Sequence, residues 1–284
     1  MPELPEVQTT INGLQLLVGH TMYSTKIYTP KLRYNIPKNI SKLEKLIRIL
    51  KIYRTGKYII INLSNLNSLI FHLGMSGRLR ILDSNQFIKN KHDHFVIFFK
   101  KRLLVFNDQR KFGYIDICDT KEINKKEYIK KLGIDALDDK LNEEYLFNKI
   151  KESEVPIKQI MLNQKIISGI GNIYANEILF DSKISPFIKG NSLNIRKLRR
   201  LIKSTKKILN KAINSGGSSL KDYVSTDGTL GNFQNNFKVY NREGKKIAGS
   251  KIKRVVQYGR STFYCPSIQI MPKINSQIYP THKK

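Results

Sequence analysis

The chain of 284 residues has only two cysteines, Cys118 and Cys265, far apart and in no C-x-x-C pair. That excludes a disulfide scaffold and suits a reducing compartment. No run approaches the roughly 20 apolar residues that span a bilayer. The N-terminus also lacks the basic-then-apolar order of a secretory signal. A soluble, cytoplasmic protein is therefore expected. Acidic residues are scarce too, 22 against 51 lysines and arginines, for a net charge of +29. An excess of that size goes beyond what solubility requires and implies a polyanionic partner. Charge alone does not separate DNA from RNA, ribosome or anionic membrane. Isoleucine, lysine and asparagine are heavily used throughout, as a base-biased genome would give, so part of the lysine excess carries no specific role.

What is present starts at the first residues, Met1-Pro2-Glu3-Leu4-Pro5-Glu6-Val7. Once Met1 is removed, Pro2 is a free secondary amine with a carboxylate, Glu3, one peptide bond away. Such an amine can attack an electrophilic carbon and become an iminium, while Glu3 moves protons. Apolar residues at Val7, Ile11, Leu14 and Val18 mark one buried helical face, and Pro5 suits a first helical turn. The positive end of that helix disfavours a protonated amine, and a terminal amine starts near pKa ~8. Taken alone, two prolines before a helix are ordinarily just a stiff leader.

The length is enough for two domains and a substantial core. From about Thr21 to Ile117, short apolar runs such as 58–63, 68–71, 95–99 and 103–106 read as strands of a sheet or sandwich. The connectors Arg54-Thr55-Gly56-Lys57, Gly74 to Arg78 and Asp108 to Gly113 are where a rigid scaffold displays function. After Gly113 the period changes. Leu198, Leu201, Ile202, Ile208, Leu209 and Ile213 carry helical spacing in a second, mainly helical region beyond a polar linker near Lys130 to Lys140. Gly169-Ile170-Gly171-Asn172 places a glycine turn before a helix start, where backbone N–H groups can take a phosphate. Residues 215 to 223 form a flexible, hydroxyl-rich loop. Phe237 to Tyr264 reads as a two-stranded hairpin with Phe237–Tyr240 as one strand, and 271–284 as a tail.

Together these segments resemble the formamidopyrimidine-DNA glycosylase family. The likeness rests on Pro2 to Val7, Gly56-Lys57-Tyr58, His72 to Gly77, Lys91 to His94, Arg110 to Gly113, Gly169 to Ala175, Gly216 to Tyr223 and Gly259 to Cys265. Any one is weak evidence, but eight in the family's order are specific. The resemblance implies an α+β fold: an N-terminal two-layer β-sandwich with flanking helices, then a helix-two-turn-helix domain ending in a β-hairpin finger. The expected divisions are 1–130, 131–236, 237–270 and a tail, 271–284.

The resemblance also implies activity and roles. Family members excise oxidised purines, 8-oxoguanine and formamidopyrimidines, from double-stranded DNA and cut the abasic site by β,δ-elimination. Pro2 would attack C1′ and Glu3 would protonate the opening sugar. Lys57 would serve β-elimination and Arg260 would grip phosphates and serve δ-elimination. His92, Arg110, Lys158 and Asn172 match DNA-contacting positions. Met75, Arg110 and Phe112 match side chains that fill the gap left by the flipped base, which costs a few kcal/mol to extrude. An apolar wedge recovers stacking. Ser218, Ser219 and Tyr223 belong to the loop that closes over that base.

The chain departs from the family at two places. Of four expected zinc cysteines only Cys265 remains, with Ile268 three residues on, and a structural zinc needs four ligands. No metal or other cofactor is therefore expected, and Phe237, Val239, Ile252, Val255, Phe263 and Tyr264 are the candidates to hold the finger. At Ser153 many relatives carry a basic residue, for which Lys151 could substitute. Two alternatives stay open: an endonuclease VIII-like preference for oxidised pyrimidines, and an inactive protein that only binds lesion DNA. A monomer is expected, since one site per chain suffices.

Overall fold

The computed structural model describes residues 2–43, 46–218, 226 and 231–270. Helix α1 (Leu4–Leu14) begins with Pro5 in its first turn, and the Glu3 N–H donates to Glu6 Oε2 at 2.9 Å, a carboxylate reaching back over the helix start. Leu4 enters the core of the helical half, whereas Val7, Ile11 and Leu14 enter the core of the sandwich. The first helix thus joins the two halves. The expected apolar face ran on to Val18, but the helix stops at Leu14. A tight turn over Gln15–Leu17 follows and buries Leu17, while Val18 is exposed ahead of Gly19 at φ +83°.

Two antiparallel sheets follow. One has the order β1 (Thr21–Met22), β3 (Ile47–Thr55), β4 (Tyr58–Leu63), β5 (Asn67–His72) and β9 (Tyr114–Asp119); the other has β2 (Ser24–Ile27), β7 (Asp93–Phe98), β8 (Arg102–Asn107) and β6 (Arg78–Asp83). Between them lie Ile59, Ile61 and Phe71 of one sheet and Phe95, Ile97 and Phe106 of the other, the two-layer sandwich that alternating apolar runs produce. The register pairs Tyr58 with His72 and His72 with Tyr114. Hence the Gly56-Lys57 turn, the segment after His72 and the segment before Tyr114 emerge at one end of one sheet.

Past α2 (Glu127–Lys130), the stretch expected as a polar linker is pinned. In it β10 (Ile134–Asp135) pairs in parallel with β11 (Ile167–Ser168), and Asp135 makes an ion pair with Arg54 of β3. Helices α3 (Glu143–Ile150), α4 (Ile157–Leu162), α5 (Asn172–Asp181) and α6 (Ile195–Asn214) share one core. Helix α6 is capped by the Asn194 side chain on the Lys197 N–H and buries Leu198, Leu201, Ile202, Ile208 and Leu209.

The finger differs from expectation. Phe237–Tyr240 is not a strand, because the buried Glu177 carboxylate accepts the N–H groups of Lys238, Val239 and Tyr240 at 2.9, 3.0 and 2.8 Å, which a ladder would otherwise use. The hairpins are instead β12 (Lys246–Ile247) with β13 (Ser250–Lys251) and β14 (Lys253–Gln257) with β15 (Arg260–Tyr264). Tyr258 and Gly259, at φ +49° and +71°, form the two-residue turn of the second, the geometry whose twist matches paired strands. Val239, Ile252 and Phe263 make a small core; Phe237 joins the helical core instead, Val255 is half-buried and Tyr264 sets its ring against Phe187. The expected tail, 271–284, lies outside the described residues.

Candidate active site

Glu3 is 1% exposed, and its carboxylate sits on the N-terminus of α5. Oε1 accepts the Ile173 N–H at 2.8 Å, and Oε2 accepts those of Gly171 and Tyr174 at 2.8 and 3.3 Å. The amides of this glycine turn, which could have taken a phosphate, are occupied by a carboxylate from the chain's own start. Gly171 permits it: a Cβ there would lie 2.3 Å from the Glu3 carboxyl carbon. Burial raises the Glu3 pKa, with Lys57 and the backbone donors pulling the other way. A carboxyl whose acid form is favoured by burial is suited to donating a proton. Pro2 is buried beside it.

Lys57 Nζ donates to the Ile170 carbonyl at 2.9 Å, so consecutive residues of one loop hold Lys57 and Glu3. Burial lowers the Lys57 pKa, Glu3 opposes this, and the Arg260 guanidinium adds to it. Arg260 is exposed just past the tip of the β14–β15 turn, with its charge felt at both Lys57 and Lys158. The chain start, the β3–β4 turn, the α5 turn and the hairpin tip, all far apart in sequence, therefore converge.

Glu6 was not singled out from the sequence, yet it organises this centre. Its Oε1 accepts the Tyr174 hydroxyl at 2.6 Å and the Ser218 N–H and hydroxyl at 2.8 and 2.9 Å, so the start of the expected lesion loop is fastened to α1. Its spacing three after Glu3 is the only sequence signal. Ser219 and Tyr223 lie outside the described residues.

Met75, Arg110 and Phe112 sit together at the sandwich end. Gly74, at φ +63°, lies against the other loop so closely that a Cβ would be 2.4 Å from the Phe112 carbonyl carbon. Asp108 shapes that loop. Its carboxylate accepts the Ser76 hydroxyl at 2.5 Å and the N–H groups of Arg110 and Gly113 at 3.2 and 2.8 Å. Phe112 is 43% exposed with the Arg110 guanidinium 4.9 Å from its ring centroid, and Met75 is half-buried. A large apolar ring held out of the core this way is free to enter a gap in a base stack. His92 is half-buried nearby, and its carbonyl accepts the Asp108 N–H. His94 is a buried structural histidine between Thr29 and the Asp108 carbonyl, not a metal ligand.

Two residues expected to touch DNA are turned inward. Lys158 is 0% exposed; Nζ donates to the Ser261 carbonyl at 2.9 Å and Thr262 Oγ1 at 2.7 Å. Asn172 Nδ2 donates to the same Ser261 carbonyl at 3.1 Å. Both brace the strand that carries Arg260. The finger does not fit zinc: Cys265 is buried with its N–H on Gln269 Oε1, Gln269 in turn donates to the Ile184 carbonyl, and no group of three metal-ligating side chains occurs among the described residues. Nor is any described helix long and apolar enough to cross a membrane.

Comparison with known proteins matches residues 1–115 to the formamidopyrimidine-DNA glycosylase N-terminal domain and residues 132–224 to its H2TH domain. Among curated relatives, a formamidopyrimidine-DNA glycosylase of Dinoroseobacter shibae is 41% identical, and one of Zymomonas mobilis 44%; each match covers 95% of this chain and 100% of the relative. Among solved structures, the Lactococcus lactis enzyme bound to DNA containing an abasic site has a TM-score of 0.87 at 32% identity, over 95% of this chain and 100% of that one. Structures of a mutant of that enzyme with Fapy-dG DNA and of its wild type with oxidised-pyrimidine DNA have TM-scores of 0.88 and 0.87.

Proposed function

Because the chain belongs to the formamidopyrimidine-DNA glycosylase family, we propose that it is a base-excision-repair enzyme that removes oxidised purines from duplex DNA and cuts the abasic strand through an imine on Pro2. With Met1 removed, the Pro2 nitrogen attacks C1′ of the flipped nucleotide, and the glycosidic bond breaks with its electrons leaving on the base, which takes up the proton that the amine sheds. Glu3 gives a proton to the sugar ring oxygen, the ring opens, and an iminium remains. Loss of a C2′ proton expels the 3′ phosphate, and loss of a C4′ proton expels the 5′ phosphate; water then releases Pro2. In this reading Lys57 serves the first elimination, and Arg260 holds the phosphates and serves the second. Met75, Arg110 and Phe112 fill the gap in the duplex, and Ser218 begins the loop over the base. The net charge of +29 supplies the affinity for phosphates.

The observation that carries this reading is the Glu3 carboxylate, buried and held by three α5 amides one residue from the nucleophile. Borohydride trapping tests it. The mature protein should be reduced onto an 8-oxoguanine duplex, with the sugar on Pro2 by mass spectrometry. Pro2→Gly or retained Met1 should abolish or greatly slow trapping. Wild-type trapping with Met1 in place would refute the mechanism, and no trapping by the mature chain would favour a protein that only binds. The oxidised-pyrimidine alternative has one observation in its favour, the Lactococcus lactis enzyme solved with such DNA. Comparing excision of thymine glycol and 8-oxoguanine opposite cytosine decides between them.

A further inference from the structure

A cavity of about 400 Å³ opens on the outer face of the five-stranded sheet, with Arg33, Tyr34, Tyr58, His72, Tyr114 and Tyr128 in its lining and neither Pro2 nor Glu3 among them. Its volume lies within the roughly 300–1,000 Å³ of small-molecule sites. The Tyr58-His72-Tyr114 row forms its floor. The His72 ring stacks on Tyr114 at 5.5 Å and 11°, Tyr58 lies 5.2 Å from Tyr128, and Tyr34 stands edge-on to Tyr114 at 5.4 Å. Core closure explains Tyr58 and Tyr128, which cover Ile60, Ile70 and Ile123. It does not explain Tyr34, which is 57% exposed and forms an outer aromatic wall braced only at its edge by Tyr114 and by the Arg33 guanidinium.

The polar groups facing the cavity are mostly donors. The Arg33 guanidinium lies 5.6 Å from the Tyr34 ring centroid and makes no ion pair among the described residues. The Gly74 N–H donates to His72 Nδ1 at 3.0 Å, which in a neutral ring leaves the proton on Nε2. Burial, with help from the Lys57 and Arg33 charges, pushes the His72 pKa down to about 4, so the ring is neutral at pH 7. The one carboxylate, Asp116, is already engaged by Lys126 at 2.7 Å and Tyr128 at 2.6 Å. An occupant must therefore bring its own acceptors, a flat π-face and negative charge.

We propose that this cavity is a second nucleotide site, in which a planar base stacks on Tyr34 and its phosphate meets Arg33. It stands independently of the Pro2 chemistry. The base is supplied either by a free nucleotide or by a strand running past the Lys57 turn, which emerges at the same end of the sheet.

Saturation-transfer NMR on the full mature chain with millimolar dGMP and dTMP, and ribose 5-phosphate as control, tests the proposal. Saturation should reach the base protons. Tyr34→Ala should weaken nucleotide binding about tenfold, as loss of one base–aromatic stack implies. Tyr34→Phe should bind as wild type, and Arg33→Ala should weaken dGMP but not deoxyguanosine. Because Tyr34 is exposed, its variants should melt with wild type and still trap lesion DNA. No transfer to the wild-type chain, or equal transfer to Tyr34→Ala, overturns the proposal. Displacement of dGMP by an undamaged duplex identifies the DNA strand as the source; simultaneous binding identifies the free nucleotide.

Discussion

Lys158 offers the sharpest physical test of how the hairpin is held. Its ammonium is fully buried, and burial together with the Arg260 charge pushes its pKa from 10.5 down to about 7. The folded pKa lies below the unfolded one, so this group's contribution to stability is complete only above about pH 10.5 and is lost as pH falls toward 7. At about 1.36 kcal/mol per unit, the lowered pKa costs the fold about 4 kcal/mol at pH 7 and about 2 kcal/mol at pH 9, relative to an unfolded chain whose lysine is protonated at both. Lys158→Met removes that titration and keeps the volume. The hydrogen bonds it forfeits have partial replacements, since Asn172 still donates to the Ser261 carbonyl and Thr262 still reaches Gln257. Whatever the absolute change, Lys158→Met should therefore compare better with wild type at pH 7 than at pH 9, by about 2 kcal/mol. In melting temperature that is about 4–8 °C for a chain of this size. All other titrations are common to both proteins and cancel. Melts of both at the two pH values provide the assay, and a difference that does not change with pH refutes a buried, destabilised ammonium.

Gly171→Ala should leave the chain folded but cut imine trapping at least tenfold, because the new Cβ displaces the Glu3 carboxyl; single-turnover kinetics at saturating DNA checks it, and an unchanged rate means Glu3 needs no such seat. Arg260→Ala should weaken lesion-DNA binding roughly tenfold at moderate salt and reduce the salt slope by about one, with melting unchanged since the side chain is exposed; equal affinity by anisotropy counts against the hairpin tip. Phenanthroline treatment should alter neither strand cleavage nor melting temperature, because the finger's residues lack a four-ligand set; loss of either in step with zinc release contradicts a metal-free finger.

The sandwich was legible because its strands are short apolar runs bounded by glycine and charged connectors, and tertiary pairing followed that pattern. Boundaries decided by long-range hydrogen bonds were not. Phe237–Tyr240 has the composition of a strand, but nothing local reveals that Glu177, some sixty residues earlier, takes its amides. Lys158 likewise matches a DNA-contacting position, and only the tertiary structure turns it toward Ser261 and Thr262. The expectations for Pro2, Glu3, Lys57 and Arg260 came from resemblance and local chemistry, and what the structure adds is that segments far apart in sequence carry them to one place. The work done by Glu6 was hidden, since a carboxylate in a first helical turn ordinarily does no more than favour the helix.

That placement of Glu6 and Glu3 has a consequence for folding. Two adjacent-turn carboxylates on α1 are buried, and their partners come almost entirely from the other half of the chain: Gly171, Ile173 and Tyr174 for Glu3, and Tyr174 and Ser218 for Glu6. A sandwich folded alone would leave both on its surface without those donors, and the helical half alone would present an uncapped α5. Each half therefore supplies the other's hydrogen-bond partners at the same spot where Pro2 lies, and docking can bury the two carboxylates because those partners replace the water they lose. The surroundings of Pro2 are accordingly completed only in the assembled chain.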